Sequence, residues 1–448
     1  MKGQDEKNQT KPDVSRPGQL ALQLHPYYRG KIEVNPRCVV RDMDDFSIWY
    51  TPGVAEPCLE IQKDKGKVYD YTWKWNAIAV VSDGTRVLGL GDIGPEAALP
   101  VMEGKALLFK YLGGVDAVPI CLGTKDPDEF IRTVKLLEPS FGGINLEDIA
   151  QPKCFRILDT LRAEMEIPVW HDDQQGTATV TLAGLMGALR VTGRQLPDVR
   201  IAIIGAGAAS LACARLILAA GADPGRMVLC DSQGILNRDR EELAATHPQK
   251  WEMARKTNAD GRQGHIPEAM AGADVVIALS KQGPGTILPE WVRAMAADPI
   301  VFACANPVPE IWPWEAKAAG AAVVATARSD FPNQVNNSLG FPSIFRGALD
   351  VRARTITDEM CIAAAAELAA YAAEKGLSAD YILPTMEEWD VYPRVAAAVG
   401  IKAVQQGIAR LNRTREELLQ SARQLIGKAR QATRLLMQEH IIPPVPTA

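Results

Sequence analysis

The sequence predicts an α/β protein in two parts, an N-terminal α/β unit and a doubly wound parallel sheet, finished by C-terminal helices. Three observations carry that expectation. Short apolar runs recur along the chain and end in Gly, Pro, Asn, Ser or an acid before a helix-like stretch. One of them, Arg200–Ile204, runs straight into a glycine-rich turn and then a helical pattern, LACARLILAAGA. Beyond residue 346 the chain turns alanine-rich and helical.

Composition bounds the rest. With 448 residues, 47% hydrophobic and 23% charged, the chain is long enough for two or three domains and has a globular balance. A net charge of −5 argues against a nucleic-acid partner, which calls for a basic excess. The most apolar uncharged runs, 177–189 and 201–214, fall short of the ~18 residues a membrane span needs. The first 19 residues are polar, lack the apolar core of a signal peptide and read as a loose tail. The eight cysteines form no CxxC pair, and several lie in apolar runs; reduced, packed thiols and a cytoplasmic location follow.

In chain order, the first unit holds strands near 75–83 (WNAIAVVSD), 114–122 (GVDAVPICL), 142–148 (GGINLED) and 167–173 (IPVWHDD), with helices between. The second begins with Arg200–Ile204 and its glycine turn, then Met227–Cys230 ending at Asp231. Strands at 273–280 (ADVVIALS), 299–307 (PIVFACANP) and 321–330 (AAVVATARSD) follow. The stretch 403–440 is amphipathic, suited either to closing on the body or to pairing with another subunit.

The 200–231 segment is strand, glycine turn, helix, strand, acid, the first half of a dinucleotide-binding unit. Its cofactor-facing residues are Gly205, Gly207, Ala208, Ala209 and Ser210, with the pyrophosphate on the helix N-terminus. Ser210 replaces the last glycine, so the packing there must admit a side chain. Asp231 follows at about the ~20-residue interval of the ribose-binding acid and inclines the choice to NAD, with NADP open because Arg238 and Arg240 lie near. A second match, 89–94 (GLGDIG), carries Asp92 where phosphates would lie and reads as a tight turn.

Two strands end in acid pairs, Glu147-Asp148 and Asp172-Asp173. If those strands are parallel neighbours, four carboxylates meet at one sheet edge and repel unless a cation sits among them; Mg²⁺ or Mn²⁺ suits such oxygen donors. Helix N-capping is the commoner use of acids so placed, and both readings stand on the residues alone. Taken singly, Tyr50, Lys105 and Asn336-Asn337 are unremarkable, and His171 reads equally well as a core histidine.

Together these stretches resemble the malic enzyme family. The resemblance rests on YTPGVAEPC (50–58), 82–122, GGINLEDIAQPKCF (142–155), PVWHDDQQGTATVTLAG (168–184), IAIIGAGAAS (201–210), ANPVPE (305–310) and ARSDFPNQVNNSLGFP (327–342), in order over 40–390. It looks like the short bacterial form. The resemblance implies a tail at 1–19, a substrate and metal domain at 20–175, a Rossmann-type NAD(P)-binding domain at 176–400 and a helical extension at 401–448. It implies oxidative decarboxylation of L-malate to pyruvate and CO₂, with NAD (or NADP) as hydride acceptor. It assigns the metal to Glu147, Asp148 and Asp173, acid–base roles to Tyr50 and Lys105 with Asp172 as partner of the lysine, and substrate contacts to Arg86, Asn306 and Asn337. Asn306 also borders the cofactor. Lys105, desolvated beside the cation, is expected to have a lowered pKa. A homodimer or larger homo-oligomer is expected, with neither nucleic acid nor membrane as partner. Malolactic conversion, an amino-acid dehydrogenase and a non-catalytic binder are the rival readings; the acid pairs argue against the second.

Overall fold

A computed structural model describes residues 15–446. The first sheet has four parallel strands, β1 (Ala77–Ser82), β2 (Asp116–Cys121), β3 (Gly143–Leu146) and β4 (Val169–His171), in the order β2-β1-β3-β4. β1 is central and wholly buried, as its unbroken apolar run requires when both faces are covered. β2 is an edge strand, half-buried throughout, and carries Pro119, whose missing N–H an edge tolerates.

The second sheet comprises β5 (Ile201–Ile204), β6 (Met227–Asp231), β7 (Gly234–Ile235), β8 (Val275–Ala278), β9 (Ile300–Ala303) and β10 (Val323–Thr326). Its order is β10-β9-β8-β5-β6-β7, and only β7 runs antiparallel. The chain reverses direction across the sheet at β5 and β8, the switch point where ligands of such sheets bind. All strands expected from the sequence are present; β7, a two-residue return after Asp231, has too little pattern to be foreseen.

Both sheets share one core. The helix Phe341–Asp350, buried at every residue, leaves the second sheet and packs on the first. Its Phe341 and Phe345 rings lie 4.6 and 5.3 Å from Phe109, which sits on the long helix Pro95–Gly113. That helix starts on a proline and stops at Gly114, whose left-handed φ of 62° ends the turn. The helix Arg415–Gln438 closes on the body: Leu418, Ala422 and Ile426 are buried, and a Cβ on Gly114 would meet the Leu425 backbone at 2.9 Å.

The N-terminal stretch behaves differently. The helix Ser15–Tyr28 takes in the last five residues of the segment read as a loose tail; residues 1–14 lie outside the described residues. From there to residue 60 the chain carries large apolar side chains in the open, among them Leu22, Val34, Met43, Trp49 and Tyr50.

Candidate active site

β3 and β4 are parallel neighbours in register, Leu146 opposite His171, so their acid pairs emerge side by side. Capping is not what the acids do. The helix after β3 begins only at Lys153, and the turn after β4, Asp172–Gly176, shows no side-chain cap bond. Instead Glu147, Asp148 and Asp173 converge, their ligand oxygens all within 4.8 Å of one another. Asp148 takes a left-handed φ of 54°, rare for a residue with a side chain and a sign of strain kept at a site. In that pose its N–H donates to Asp173 Oδ2 at 2.9 Å and its carbonyl accepts from the Arg86 N–H at 3.0 Å. Its Oδ2 is buried with no partner.

Burial, then the nearby Asp173 carboxylate, pushes Asp148 up to about 7. Burial likewise lifts Glu147 well above the ordinary carboxylate range. Three convergent oxygens, one of them orphaned, and acids that resist ionisation are a donor set short of positive charge. A hard divalent cation fits it.

The fourth acid is used otherwise. Lys105, buried on the helix Pro95–Gly113, sets its Nζ 2.7 Å from Asp172 Oδ2 and 3.1 Å from Glu147 Oε1. The ammonium also lies 4.5 Å over the Phe341 ring. Trp170 Nε1 donates to the other Asp172 oxygen at 3.2 Å, fixing the carboxylate. A Cβ on Gly176 would come within 1.9 Å of Asp172 Oδ1, so only glycine lets the acid fold into this position. The lowering of the lysine pKa expected from the sequence presupposes a cation among these acids, and the side chains alone set a different balance. Burial does pull it down, but Asp172, Glu147 and Asp173 outweigh burial and hold the ammonium well above its ordinary value.

The residues expected to contact substrate stand in different places relative to this cluster. Arg86 is tied to the acid loop through its backbone, while its exposed guanidinium donates to the Leu88 carbonyl. Asn336 caps the turn Asn337–Leu339, accepting from the Ser338 N–H at 2.9 Å, which leaves Asn337 free beside Gly176 and Asp172. Asn306 follows β9, exposed, and the 89–94 loop reaches across to it: a Cβ on Gly89 would lie 3.6 Å from the Asn306 carbonyl. That loop is a tight turn, closed by a Val87–Gly91 bridge, with Gly91 and Gly94 at positive φ. Tyr50 is not in the cluster; it ends the helix Asp45–Trp49 and is 71% exposed.

On the second sheet, Gly205 takes a φ of 104°, and a Cβ there would meet the Leu279 carbonyl at 2.6 Å. Gly207 caps the helix Ala208–Ala219 without a side-chain bond, leaving the first N–H groups open for phosphate. Ser210 is fully buried, its hydroxyl directed at the Leu279 carbonyl, which is how a side chain is admitted there. Asp231 is engaged by Arg240 and Lys250, each at 2.8 Å. The charge that would repel a 2′-phosphate is thus already offset. Arg238 turns instead toward the Arg255 carbonyl.

Sequence reasoning missed several supporting residues. Asn145 donates to Glu147 Oε2 at 2.9 Å, and Phe341 floors the lysine. Glu310, fully buried, accepts from the Ser280 and Ala305 N–H groups and staples the loops after β8 and β9. A lone polar residue inside an apolar strand, as Asn145 is in GGINLED, was the available signal. His171 is buried with neither ring nitrogen partnered and lies 3.7 Å from Asp173; burial keeps it neutral.

A nucleotide-binding sheet joined to a sheet edge that gathers three carboxylates and a buried lysine defines a class: a dinucleotide-dependent oxidoreductase with an acidic, cation-seeking substrate site. Comparison with known proteins narrows the class. Residues 29–162 match the malic enzyme N-terminal domain and residues 174–406 the malic enzyme NAD-binding domain. The bifunctional malic/malolactic enzyme of Bacillus subtilis is 51% identical over 405 residues, covering 90% of this chain and 97% of that protein. The NAD-dependent malic enzyme of Geobacillus stearothermophilus is 51% identical, covering 85% and 78%. The crystal structure of the Entamoeba histolytica malic enzyme superposes with a TM-score of 0.94 at 47% identity, covering 98% of this chain and 93% of that one. The chain belongs to the malic enzyme family, and its second domain is an NAD(P)-binding domain.

Proposed function

We propose that this chain oxidatively decarboxylates L-malate to pyruvate and CO₂, passing the hydride to NAD or NADP and requiring Mg²⁺ or Mn²⁺. The observation that carries the reading is the buried Lys105–Asp172 pair set against the Glu147, Asp148 and Asp173 cluster. Glu147, Asp148 and Asp173 would hold a divalent cation, which would supply Lewis acidity toward the oxygens of a 2-hydroxy acid. A nicotinamide dinucleotide on the Gly205–Ser210 loop supplies the hydride acceptor.

The chain's own residues do the rest. Arg86 clamps a substrate carboxylate with two parallel hydrogen bonds. Asn306 and Asn337 help to orient the substrate. Lys105 takes the C2 hydroxyl proton at Nζ, with Asp172 fixing the direction of that atom. Asp172, Glu147 and Asp173 hold the lysine protonated; offsetting the charge of Glu147 and Asp173 would weaken that hold, and burial favours the free amine. Tyr50 returns a proton to the carbon that lost CO₂ and is itself reprotonated through Lys105.

Tyr50 belongs to an arm whose apolar residues stand in the open, including Val34 at 88% and Met43 at 79% exposure. So much uncovered apolar surface supports a homodimer that buries this arm and changes the surroundings of Tyr50. Sedimentation showing only a 48.6 kDa species at micromolar concentration would overturn the dimer. A cytoplasmic location is supported by eight cysteines that are all free thiols.

The test of the activity is absorbance of reduced cofactor from L-malate and Mn²⁺, with NAD and NADP in parallel and pyruvate and lactate assayed at the end. Reduced cofactor with matching pyruvate, abolished by chelation, is expected. The Bacillus subtilis relative, named for both activities, favours malolactic conversion as the second reading. Lactate without net reduced cofactor would establish it, and absence of both products would overturn both readings.

A further inference from the structure

The ladder between β1 and β3 ends where the Glu147 N–H donates to the Val81 carbonyl at 2.9 Å. Regular pairing stops there, yet the segments that follow the two strands stay tied. The Arg86 N–H donates to the Asp148 carbonyl at 3.0 Å, and the Ala150 N–H donates to Thr85 Oγ1 at 2.9 Å. Thr85 Oγ1 in turn donates to Asp83 Oδ1 at 2.6 Å, which also accepts the Thr85 N–H at 3.1 Å. The other Asp83 oxygen faces Lys153 Nζ at 2.6 Å, an ion pair whose angle is not that of a hydrogen bond. Lys153 also donates to the Lys125 carbonyl at 3.2 Å. Asp83 and Thr85 are both buried, and the Lys153 side chain is nearly so.

These contacts have a direction. A hydroxyl has one proton to donate and an ionised carboxylate only accepts, so Thr85 points its proton at Asp83 and its lone pairs at the Ala150 N–H. Lys153 opens the helix Lys153–Glu164, the end at which the macrodipole disfavours a cation, and Asp83 offsets that charge. Asp83 thus holds the acid loop at two points, through Thr85 at Ala150 and directly at Lys153. Just ahead of both lies Asp148, whose left-handed φ of 54° persists only where the surrounding structure over-determines it. Neither Asp83 nor Thr85 belongs to the carboxylate cluster itself.

We propose that Asp83 and Thr85 are positioning residues for the cation site. Through the Ala150 N–H and Lys153 they set the path of the acid loop, so that the Asp148 carboxylate meets those of Glu147 and Asp173. This rests on the reading that those three carboxylates hold a divalent cation. Groups that orient metal ligands from behind change metal affinity by about 10–100-fold when they are lost. The signal in the sequence is SDGTR (82–86), a third strand that ends in an acid, with a hydroxyl two residues on and Arg86 next to it.

Calorimetric titration with Mn²⁺, without malate or dinucleotide, tests this, together with thermal melts of the chelated protein. Thr85→Val keeps the shape and removes the hydroxyl, and Mn²⁺ affinity should fall at least about tenfold. Thr85→Ser restores the hydroxyl and should return the affinity to within about threefold of the unmodified chain. Asp83→Asn keeps an acceptor for Thr85 but removes the charge facing Lys153; it should weaken Mn²⁺ about tenfold and carries the test should Thr85→Val not fold. Unchanged Mn²⁺ affinity in either folded variant, with only a lower melting temperature, would overturn the positioning role and leave a purely structural one. Equal loss in Thr85→Val and Thr85→Ser would overturn the hydroxyl relay. Absence of Mn²⁺ binding by the unmodified chain would overturn the cation reading beneath it and this proposal together.

Discussion

The two sheets end their strands in acids, and the acids behave oppositely. Beyond β3 and β4, Glu147, Asp148 and Asp173 crowd together with one buried lysine to share, and burial drives Asp148 up to about 7. Beyond β6, Asp231 is also withdrawn from solvent, but Arg240 and Lys250 outweigh its burial and bring it down to about 2. The local pattern is the same: an apolar strand, an acid at its carboxyl end, a turn. The number of cations delivered to that end by other elements differs. A site short of positive charge suits a cation, and a site with a surplus suits an anion.

The largest effect that could break this comparison lies at Lys105, the buried cation on the acid-rich side. Lys105→Ala should lower kcat by about 10²–10⁴-fold, the usual weight of a positioned acid–base group. KM for malate should change little. Loss through KM alone would mean that the lysine only holds substrate, and the comparison would then concern binding, not chemistry.

The sequence makes part of this contrast visible. Alternating apolar runs and helical stretches locate nine of the ten strands, and the acid pairs at 147–148 and 172–173 stand out because acids at strand ends are few. Pair spacing cannot tell a cap from a cluster, because that depends on whether β3 and β4 are neighbours, a long-range fact. Lys105 illustrates the same limit. Its position within a helix is legible, but the sign of its pKa shift depends on three carboxylates from two other segments. Lys250 is missed for the same reason: nothing near it in sequence says that its side chain reaches Asp231. Tyr50 is the reverse case. Its motif is legible, yet its exposure reflects an uncovered arm, which a single chain's pattern does not encode.

Stability against pH gives a second, smaller test on the acid-rich side. An acid whose folded pKa is raised binds its proton more tightly folded than unfolded. For chelated protein, Asp148 therefore costs nothing near pH 4, costs more as pH rises toward about 7, and costs its full amount above that. Asp148→Asn removes the charge. Chelated variant should exceed chelated wild type by about 2 kcal/mol at pH 8 and match it near pH 4. Adding Mn²⁺ should raise the melting temperature of wild type and leave the variant nearly unchanged. A variant less stable than chelated wild type at pH 8 would show that Asp148 is not an uncompensated charge.

The smallest effect has the opposite sign, on the cation-rich side. The folded pKa of Asp231 is depressed, so its ionised form is favoured by folding. Its contribution is complete above the unfolded value of about 4 and is lost as pH falls toward about 2. Asp231→Asn should therefore destabilise the protein by about 1–2 kcal/mol at pH 7, less than the bare shift suggests because Arg240 and Lys250 are partly screened by solvent. Denaturant melts at pH 6, 4 and 3 should show the gap between wild type and variant narrowing as the acid protonates. A gap of the same size at all three would mean that packing around Asp231, and not its charge, sets its worth. The two strand ends would then differ in shape alone. Narrowing at Asp231 together with widening from pH 4 to 8 at Asp148 would show opposite electrostatic work done by acids at the same place in the same local motif.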